Sequence, residues 1–344
     1  MSAAKQFMSL EPSRRARVFE QAATERGIGA TIMEKDFWVC WVLHALFSQP
    51  VLAGHLVFKG GTSLSKVYDA IDRFSEDVDL SLSPEFAGAN LPGLDALSSR
   101  GARAGALKRM QKGCGDKARE EIAPLLERIA TADLGVRGDR EPWFSYEFDE
   151  AAGSPNLYFH YPTNRDAGLA YVRPTVKLEL GSLTDQQPVG RHAIRPWVAE
   201  ALPALFTDWQ CDVTALDLAR SFWEKATIIH GEYHRAADSP IPDRYARHYS
   251  DVARLAVHPQ AATFLADRDL CARVAEWKDR WFARTWARYD LARHGTFRLV
   301  PPAERYAELD ADYSIMRPMF LSAPPPFSEV IQTLRDAEDE INRM

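Results

Sequence analysis

A glycine pair between a short apolar run and a helical pattern constrains the fold of this chain more than any other feature. Residues 56–58 (Leu-Val-Phe) are typical of a β-strand and lead into Lys59-Gly60-Gly61, after which a helix is predicted over 62–71. Glycines let the backbone turn tightly and approach a ligand, and the free N–H groups at a helix start favour an anion such as phosphate. Thr62 or Ser63 can add a hydroxyl group. The alternative is that the turn only connects a strand to a helix.

The segment after this helix alternates polar and apolar residues, which predicts a strand with one polar face. Asp77 and Asp79 are expected on that face, while Val78 and Leu80 enter the core. Two carboxylates held this close repel each other unless a cation lies between them, and Mg²⁺ takes one or two carboxylates together with substrate phosphates. We therefore predict that Asp77 and Asp79 bind Mg²⁺ or Mn²⁺. The alternative is a solvated edge strand.

A later segment, 176–180, repeats the alternation and places Lys177 and Glu179 on one strand face. Glu179 is a candidate third carboxylate of the same site. Lys177 is a candidate for binding a polyphosphate or neutralising charge that develops on a transferred group. The alternative is a Lys–Glu rim on an amphipathic strand.

The remaining patterns predict an α+β fold with three regions. Helices are expected over 12–28 and from Thr31, where Thr31 and Glu34 have capping-box spacing. Strand-like runs cover 143–148, 157–161 and 172–180. We predict the following organisation: N-terminal helices over 1–50, a core over 51–190 with a helical insertion near 93–133, and a helical C-terminal domain over 213–344.

Composition narrows the class of protein. The chain has 344 residues, a formal net charge of -6 and four cysteines without metal-ligand spacing. The acidic balance argues against coating nucleic acid by bulk charge, although a local basic groove remains compatible with it. Free thiols, the absence of a signal-peptide pattern and the interrupted apolar stretch 37–58 predict a cytoplasmic protein that does not span a membrane.

Five blocks together resemble a known family. The sequence is similar to the AbiEii/AbiGii toxin family, which includes the MenT toxins, within the DNA polymerase β-type nucleotidyltransferase superfamily. The resemblance spans roughly residues 34–251, and the second and third blocks in this order are its most specific part. The blocks are 34–38 (Glu-Lys-Asp-Phe-Trp), 58–66 (Phe-Lys-Gly-Gly-Thr-Ser-Leu-Ser-Lys), 73–80 (Arg-Phe-Ser-Glu-Asp-Val-Asp-Leu), 177–179 (Lys-Leu-Glu) and 222–226 (Phe-Trp-Glu-Lys-Ala).

The resemblance implies a nucleotidyltransferase-like mixed sheet flanked by helices. It also implies the toxin of a toxin–antitoxin or abortive-infection system, with a cognate antitoxin protein as a partner. Such an enzyme transfers NMP from an NTP to RNA, with the tRNA 3′ end as the known type of target. The implied catalytic residues are Asp77, Asp79, Lys177 and Glu179, with Asp77 and Asp79 as ligands of Mg²⁺ or Mn²⁺. The implied NTP-binding residues are Lys59, Gly60, Gly61, Thr62, Ser63, Lys66 and Lys225.

The fourth block of the family is harder to assign. Its acidic residue falls within 217–225, where Glu224 competes with Asp217, and Lys225 is its lysine. A downstream pattern is altered, because His248 replaces the acid that relatives have between Arg244 and Asp251.

Three readings of the function stay open. Besides RNA, the acceptor of the nucleotide can be a small molecule or a protein, and the chain can also be a catalytically silent module that binds an NTP or a partner. RNA contacts are predicted from basic residues over 103–119 and from basic and aromatic residues over 268–298, where a buried core is the alternative. Ser75 is predicted as a regulatory phosphorylation site, because a phosphate there adds nearly two negative charges beside Asp77.

Overall fold

The structure is a computed structural model, and it describes residues 3–88, 97, 99–163, 174–207, 209–282 and 284–343. These described residues divide into two compact units. The first unit comprises Met1–Val67 with Ser75–Leu216, and the second comprises Tyr68–Phe74 with Asp217–Met344.

A mixed β-sheet forms the centre of the first unit. Among the described residues it has seven strands in the order β3-β4-β5-β2-β1-β7-β6. The strands are β1 (Leu56–Lys59), β2 (Val78–Leu82), β3 (Phe144–Asp149), β4 (Ser154–Phe159), β5 (Val176–Gly181), β6 (Val189–Ile194) and β7 (Cys211–Leu216). β1 pairs antiparallel with β2 and parallel with β7, and β2 pairs parallel with β5.

The helices of the first unit flank this sheet. They are α1 (Ala3–Met8), α2 (Pro12–Arg26), α3 (Ala30–Phe47), α4 (Pro50–Ala53), α5 (Gly60–Lys66), α6 (Arg100–Lys117), α7 (Ala123–Leu134) and α8 (Trp197–Ala201), and a π-helical turn, Ala118–Ile122, joins α6 to α7. α3 is almost wholly buried: Trp38 and Trp41 on this helix contact Phe159 of β4, with ring centroids 5.7 and 4.8 Å apart. The predicted α+β class with a mixed sheet and flanking helices is confirmed.

The alternation read from the sequence is visible in the burial of β5. Val176, Leu178 and Leu180 are fully buried, whereas Lys177 and Glu179 between them are only half-buried. Apolar side chains on one strand face are covered by the core, which leaves the other face to polar groups. This arrangement fixes the register of the strand and the side on which the charged residues lie.

The second unit is built mainly from helices. They are α9 (Leu218–Tyr233), α10 (Ala246–Ala256), α11 (Ala261–Leu265), α12 (Arg268–Trp281), α13 (Tyr306–Ile315) and α14 (Phe327–Arg343). Inside the unit, the buried carboxylate of Asp251 accepts hydrogen bonds from Arg73 at 2.8 and 2.7 Å and pairs with Lys225 at 2.9 Å. These contacts connect α9, α10 and the segment Tyr68–Phe74.

Several details differ from the sequence-based expectations, and the helix predicted over 62–71 is α5, which spans Gly60–Lys66. α3 begins at Ala30 after Gly29, with no side-chain cap, so the capping box predicted at Thr31 and Glu34 is wrong. Glu34 is instead buried and accepts a hydrogen bond from Thr163 at 3.0 Å. β6 and β7 were not predicted, and the sheet continues beyond the expected end of the core at residue 190, because β7 pairs with β1.

Parts of two predicted elements lie outside the described residues. They are positions 93–96 and 98 of the helical insertion and positions 172–173 of the strand expected over 172–180. Over the part of the chain that is described, no helix combines the length and the apolar character needed to cross a bilayer.

Candidate functional site

The glycine turn lies directly against one of the predicted metal-binding carboxylates. Lys59 ends β1 in an extended conformation, and Gly60 follows with φ of +80°, a left-handed conformation that L side chains rarely adopt. A Cβ atom at position 60 would collide with the carboxylate of Asp79. The backbone therefore approaches Asp79 more closely than any residue other than glycine permits.

The hydroxyl groups that follow the turn have different surroundings. Thr62 is buried, and its Oγ1 donates a hydrogen bond to the backbone oxygen of Asp77 at 2.5 Å. This bond joins the first turn of α5 to the residue that leads into β2. Ser63 is fully buried, and among the described residues its Oγ has no hydrogen-bond partner. Gly61 is also buried at the start of α5.

Sheet register aligns the charged residues in a row. Asp79 of β2 is paired with Lys59 of β1 on one side and with Glu179 of β5 on the other. Directly paired residues on neighbouring strands project their side chains to the same face. Lys59, Asp79 and Glu179 therefore share one face of the sheet. Lys59 is half-buried, and no ion pair involves it within the described part of the chain.

The pKa of Asp77 differs from the ordinary value of an aspartate. Burial, followed by repulsion from Asp79 and Glu76, raises the pKa of Asp77 from 3.8 to about 6, although Lys177 and Lys35 partly oppose the shift. A carboxylate whose negative charge is disfavoured in this way is stabilised by a bound cation. The electrostatics of this position therefore suit a divalent metal ion.

Lys177 and Glu179 form an ion pair on β5, with Nζ and Oε2 2.9 Å apart. Burial disfavours the charged form of Lys177, but the hydrogen bond and the attraction of Glu179 outweigh burial and raise its pKa. Asp77 also stabilises the lysine charge. Lys177 therefore keeps its positive charge beside the carboxylates at neutral pH.

The donor set fits a metal ion that also binds its substrate. In the described ranges, no group of three or more His, Cys, Asp and Glu side chains is arranged to hold a metal ion by itself. Mg²⁺ usually takes one or two protein carboxylates and completes its coordination with water and substrate phosphates. Asp77 and Asp79 match that pattern, whereas Glu179 is paired with Lys177 rather than completing a three-carboxylate cluster.

The structure places three other predicted site residues in distinct surroundings. Lys66, at the end of α5, forms a buried ion pair with Asp36 at 2.8 Å and lies over the ring of Trp197, which accounts for its burial without a nucleotide. Lys225 belongs to the second unit, where it pairs with Asp251. Ser75 is half-buried in the irregular segment before β2, and its phosphorylation stays a prediction.

Two charged residues beside the candidate site were not among the predicted site residues. Glu76 precedes Asp77, and its carboxylate pairs with Lys35 of α3 at 2.7 Å. The detectable signal in the sequence was the triplet Glu34-Lys35-Asp36, which interrupts an otherwise largely apolar helix. Such a triplet inside a buried helix requires partners elsewhere in the fold.

The structure accounts for only some of the residues in the two segments predicted to contact RNA. In α6, Lys112 pairs with Asp116, whereas Lys108 and Arg109 are exposed. In α12, Trp281 is buried in the core and Trp277 is half-buried. Part of each segment therefore has a structural explanation, and the exposed cations keep the prediction open.

Comparison with known proteins gives the family. Among the curated proteins, none matches this chain. Among solved structures, the MenT4 nucleotidyltransferase toxin of Mycobacterium tuberculosis H37Rv is similar over 97% of this chain and 98% of that chain, with 17% sequence identity and a TM-score of 0.42. The family described as "Nucleotidyl transferase AbiEii toxin, Type IV TA system" matches residues 41–337. Because this match covers most of the sequence, the chain belongs to the AbiEii family of nucleotidyltransferase toxins of type IV toxin–antitoxin systems.

Proposed function

We propose that this nucleotidyltransferase transfers NMP from an NTP to RNA in a reaction that depends on Mg²⁺ or Mn²⁺, with the 3′ end of tRNA as the acceptor. The observation that carries the proposal is the contact between Gly60 and Asp79. It brings a turn suited to phosphates and a carboxylate suited to a metal ion to the same place. NTP and metal ion are therefore expected to bind as neighbours.

In the proposed reaction, a hydroxyl oxygen of the acceptor forms a bond to the α-phosphorus, and the bond from that phosphorus to the bridging oxygen breaks. Pyrophosphate leaves with the bonding electron pair. A metal ion, when bound, would supply Lewis-acid stabilisation of the phosphoryl oxygens. The chain's own residues would orient the reactants and offset negative charge.

Each residue of the site has a proposed role. Asp77 and Asp79 hold the metal ion, and Lys177 offsets charge on the transferred phosphoryl group. Glu179 accepts the proton of the attacking hydroxyl or contributes to metal binding. The half-buried Lys59 and the backbone of Gly60 and Gly61 are proposed to bind the triphosphate, with hydroxyl groups of Thr62 or Ser63 nearby. Lys66 and Lys225 are retained only as predictions, because both are engaged in buried ion pairs.

RNA is favoured over other acceptors by exposed cations. Lys108 and Arg109 on α6 are exposed. Phosphate contacts from lysine and arginine supply most of the non-specific affinity for nucleic acid. A small-molecule or protein acceptor remains the second candidate, and a silent binding module is the third. The cognate antitoxin is the protein partner that the family implies.

One labelling experiment separates these candidates. Purified wild-type protein is incubated with Mg²⁺ or Mn²⁺, each α-³²P-labelled NTP in turn, and total RNA or total protein from cells. We expect label in RNA of tRNA size, and we expect Asp77→Ala and Asp79→Ala to reduce it by more than roughly a hundredfold, because a bound metal supplies several kcal/mol of charge stabilisation. Folding of each variant is checked by circular dichroism.

Asp212→Ala is the matched control, because Asp212 is an exposed aspartate on β7 of the same sheet. It is expected to retain full labelling. Label found in protein alone would favour the second candidate. Absence of transfer by the wild type with any NTP, or full transfer by Asp79→Ala, would contradict the proposal.

A further inference from the structure

Three consecutive charged residues lie buried on α3, a helix that is otherwise largely apolar. Glu34, Lys35 and Asp36 have exposed fractions of 4%, 2% and 1%. Neighbouring residues on a helix project about 100° apart, so the three side chains reach different segments. Glu34 accepts a hydrogen bond from Thr163, Lys35 forms an ion pair with Glu76 at 2.7 Å, and Asp36 forms one with Lys66 at 2.8 Å.

The two ion pairs hold different parts of the candidate site in place. Lys35 holds Glu76, the residue immediately before Asp77, in a segment without helix or strand. Asp36 holds Lys66, the last residue of the short helix that begins at Gly60. The carboxylates and the glycine turn are therefore fastened to adjacent residues of one helix.

The contacts around Asp36 make its position specific. Besides pairing with Lys66, its Oδ2 accepts a hydrogen bond from the backbone N–H of Trp197 at 2.6 Å. The ammonium group of Lys66 also lies 4.7 Å from the centroid of the Trp197 ring. Lys66, the last residue of α5, is thus held by both Asp36 and the ring of Trp197.

Stability alone does not account for such pairs. Removing two charges from water costs as much as their attraction returns, and well-packed apolar residues in their place are often neutral or stabilising. Buried ion pairs do fix geometry, because their partners must meet at a defined distance and direction. A site that binds a metal ion and a triphosphate side by side requires such fixed geometry.

We propose that Lys35 and Asp36 are positioning residues: Lys35 sets the placement of Asp77 and Asp79 for the metal ion through Glu76, and Asp36 sets the placement of the glycine turn for the triphosphate through Lys66. This inference rests on the proposed function. Neither residue is proposed to contact substrate. Each acts on a different half of the site, so loss of each has a different signature.

The test compares Mn²⁺ affinity with the KM for the transferred NTP in the full-length protein. Lys35→Met and Glu76→Gln are expected to weaken Mn²⁺ binding, followed by electron paramagnetic resonance without nucleotide, by roughly ten- to a hundredfold, as for residues that orient metal ligands. Asp36→Asn combined with Lys66→Met is expected to raise the KM for the NTP while leaving Mn²⁺ affinity unchanged. Lys5→Met removes a partly exposed ion pair with Asp133 outside the predicted RNA-contacting segments and is the control expected to change neither quantity.

A double-mutant cycle tests whether Lys35 acts through Glu76. If it does, Lys35→Met together with Glu76→Gln weakens Mn²⁺ binding no more than the stronger single variant. Thermal unfolding is recorded for every variant. If Lys35→Met fails to fold, Glu76→Gln still tests the positioning role of Lys35. The Glu76 side chain is 15% exposed, and glutamine has the same shape as glutamate.

Failure of the inference is distinguishable from failure of the proposed function. Folded Lys35→Met or Glu76→Gln protein with wild-type Mn²⁺ affinity overturns the positioning role of Lys35. Equal changes of Mn²⁺ affinity and KM in both sets of variants overturn the division between the two halves. Wild-type protein that binds no Mn²⁺ and transfers no nucleotide overturns the proposed function itself.

Discussion

The pKa of Asp77 reflects the charged residues that surround it in the candidate site. Its pKa is raised to about 6, first by burial and then by Asp79 and Glu76. The folded protein therefore retains this proton at a pH where the unfolded chain, with its ordinary value of 3.8, has lost it. Without metal, the contribution of Asp77 to stability is present below about pH 4 and is lost as the pH rises towards about 6.

We predict that Mn²⁺ stabilises the wild-type protein more at about pH 7.5 than at about pH 5, since the metal binds only the ionised carboxylate and competes with its proton. The measurement is the shift of the thermal unfolding midpoint on addition of Mn²⁺, followed by circular dichroism at both pH values. Asp77→Asn, which has no proton to lose, is expected to show a small shift at either pH. An equal shift of the wild type at both pH values would argue against Asp77 as a ligand.

The junction of β1 and α5 brings the glycine turn against the carboxylate of Asp79. A residue with a side chain at position 60 would need both a left-handed backbone and the space that the Asp79 carboxylate occupies. The turn and the carboxylate therefore depend on each other. This dependence explains why glycine, rather than any small residue, stands at position 60.

Gly60→Ala is predicted to reduce nucleotide transfer by roughly a hundredfold. The added methyl group displaces the Asp79 carboxylate, and a small displacement is enough to misalign the reacting groups. The strained backbone is expected to cost about 1–2 kcal/mol of folding free energy. Labelling of RNA and denaturant unfolding measure the two effects. Gly54→Ala is the control, because its φ is -81° and a Cβ atom there has no neighbour within 4 Å. Unchanged transfer by folded Gly60→Ala would contradict this account of the turn.

The strands β2 and β5 were predictable from their alternation, whereas β6 and β7 were not predicted. β2 and β5 were recognised because their buried apolar residues alternate with Asp79, Lys177 and Glu179. β6 was missed because its residues are mostly half-buried or exposed at the edge of the sheet. β7 alternates between buried and more exposed residues, but it was missed because its last residues adjoin the helical pattern of α9, and periodicity alone does not locate the boundary.

The sequence pointed to the carboxylates but not to the residues that hold them. Asp77 and Asp79 follow from local spacing on one strand. The Lys35–Glu76 pair joins positions 41 residues apart, and only the fold brings them together. Side chains of this kind are identified by a contact rather than by a motif, which is why Glu34 was first interpreted as a helix cap.

At the scale of the whole molecule, the family and the enzyme class predicted from five short blocks are confirmed by a match that covers residues 41–337. The roles of individual residues, the metal ion and the acceptor are proposals. The net charge of -6 makes a bulk attraction to RNA implausible, so an RNA acceptor requires local contacts.

We predict that expression of the wild-type chain inhibits bacterial growth, whereas Asp79→Ala does not, because the toxic effect would follow from nucleotide transfer. Colony counts after induction, with protein amounts checked by immunoblot, measure the difference. Asp212→Ala is expected to inhibit growth like the wild type. Co-expression of the adjacent gene product is expected to restore growth. Inhibition by Asp79→Ala equal to that of the wild type would separate toxicity from catalysis.

The parallel pairing of β2 with β5 determines how late in synthesis the candidate site can form. A ribosome that has made Asp79 must add roughly another hundred residues before Glu179 can pair with it, and β1 waits still longer for β7. Strands so distant in sequence pair late during folding, because loop closure must precede the contacts. A fragment released before Val176 contains both aspartates but lacks Lys177 and Glu179. In the proposed mechanism, such a fragment lacks the lysine that offsets charge on the phosphoryl group and the glutamate that accepts the proton.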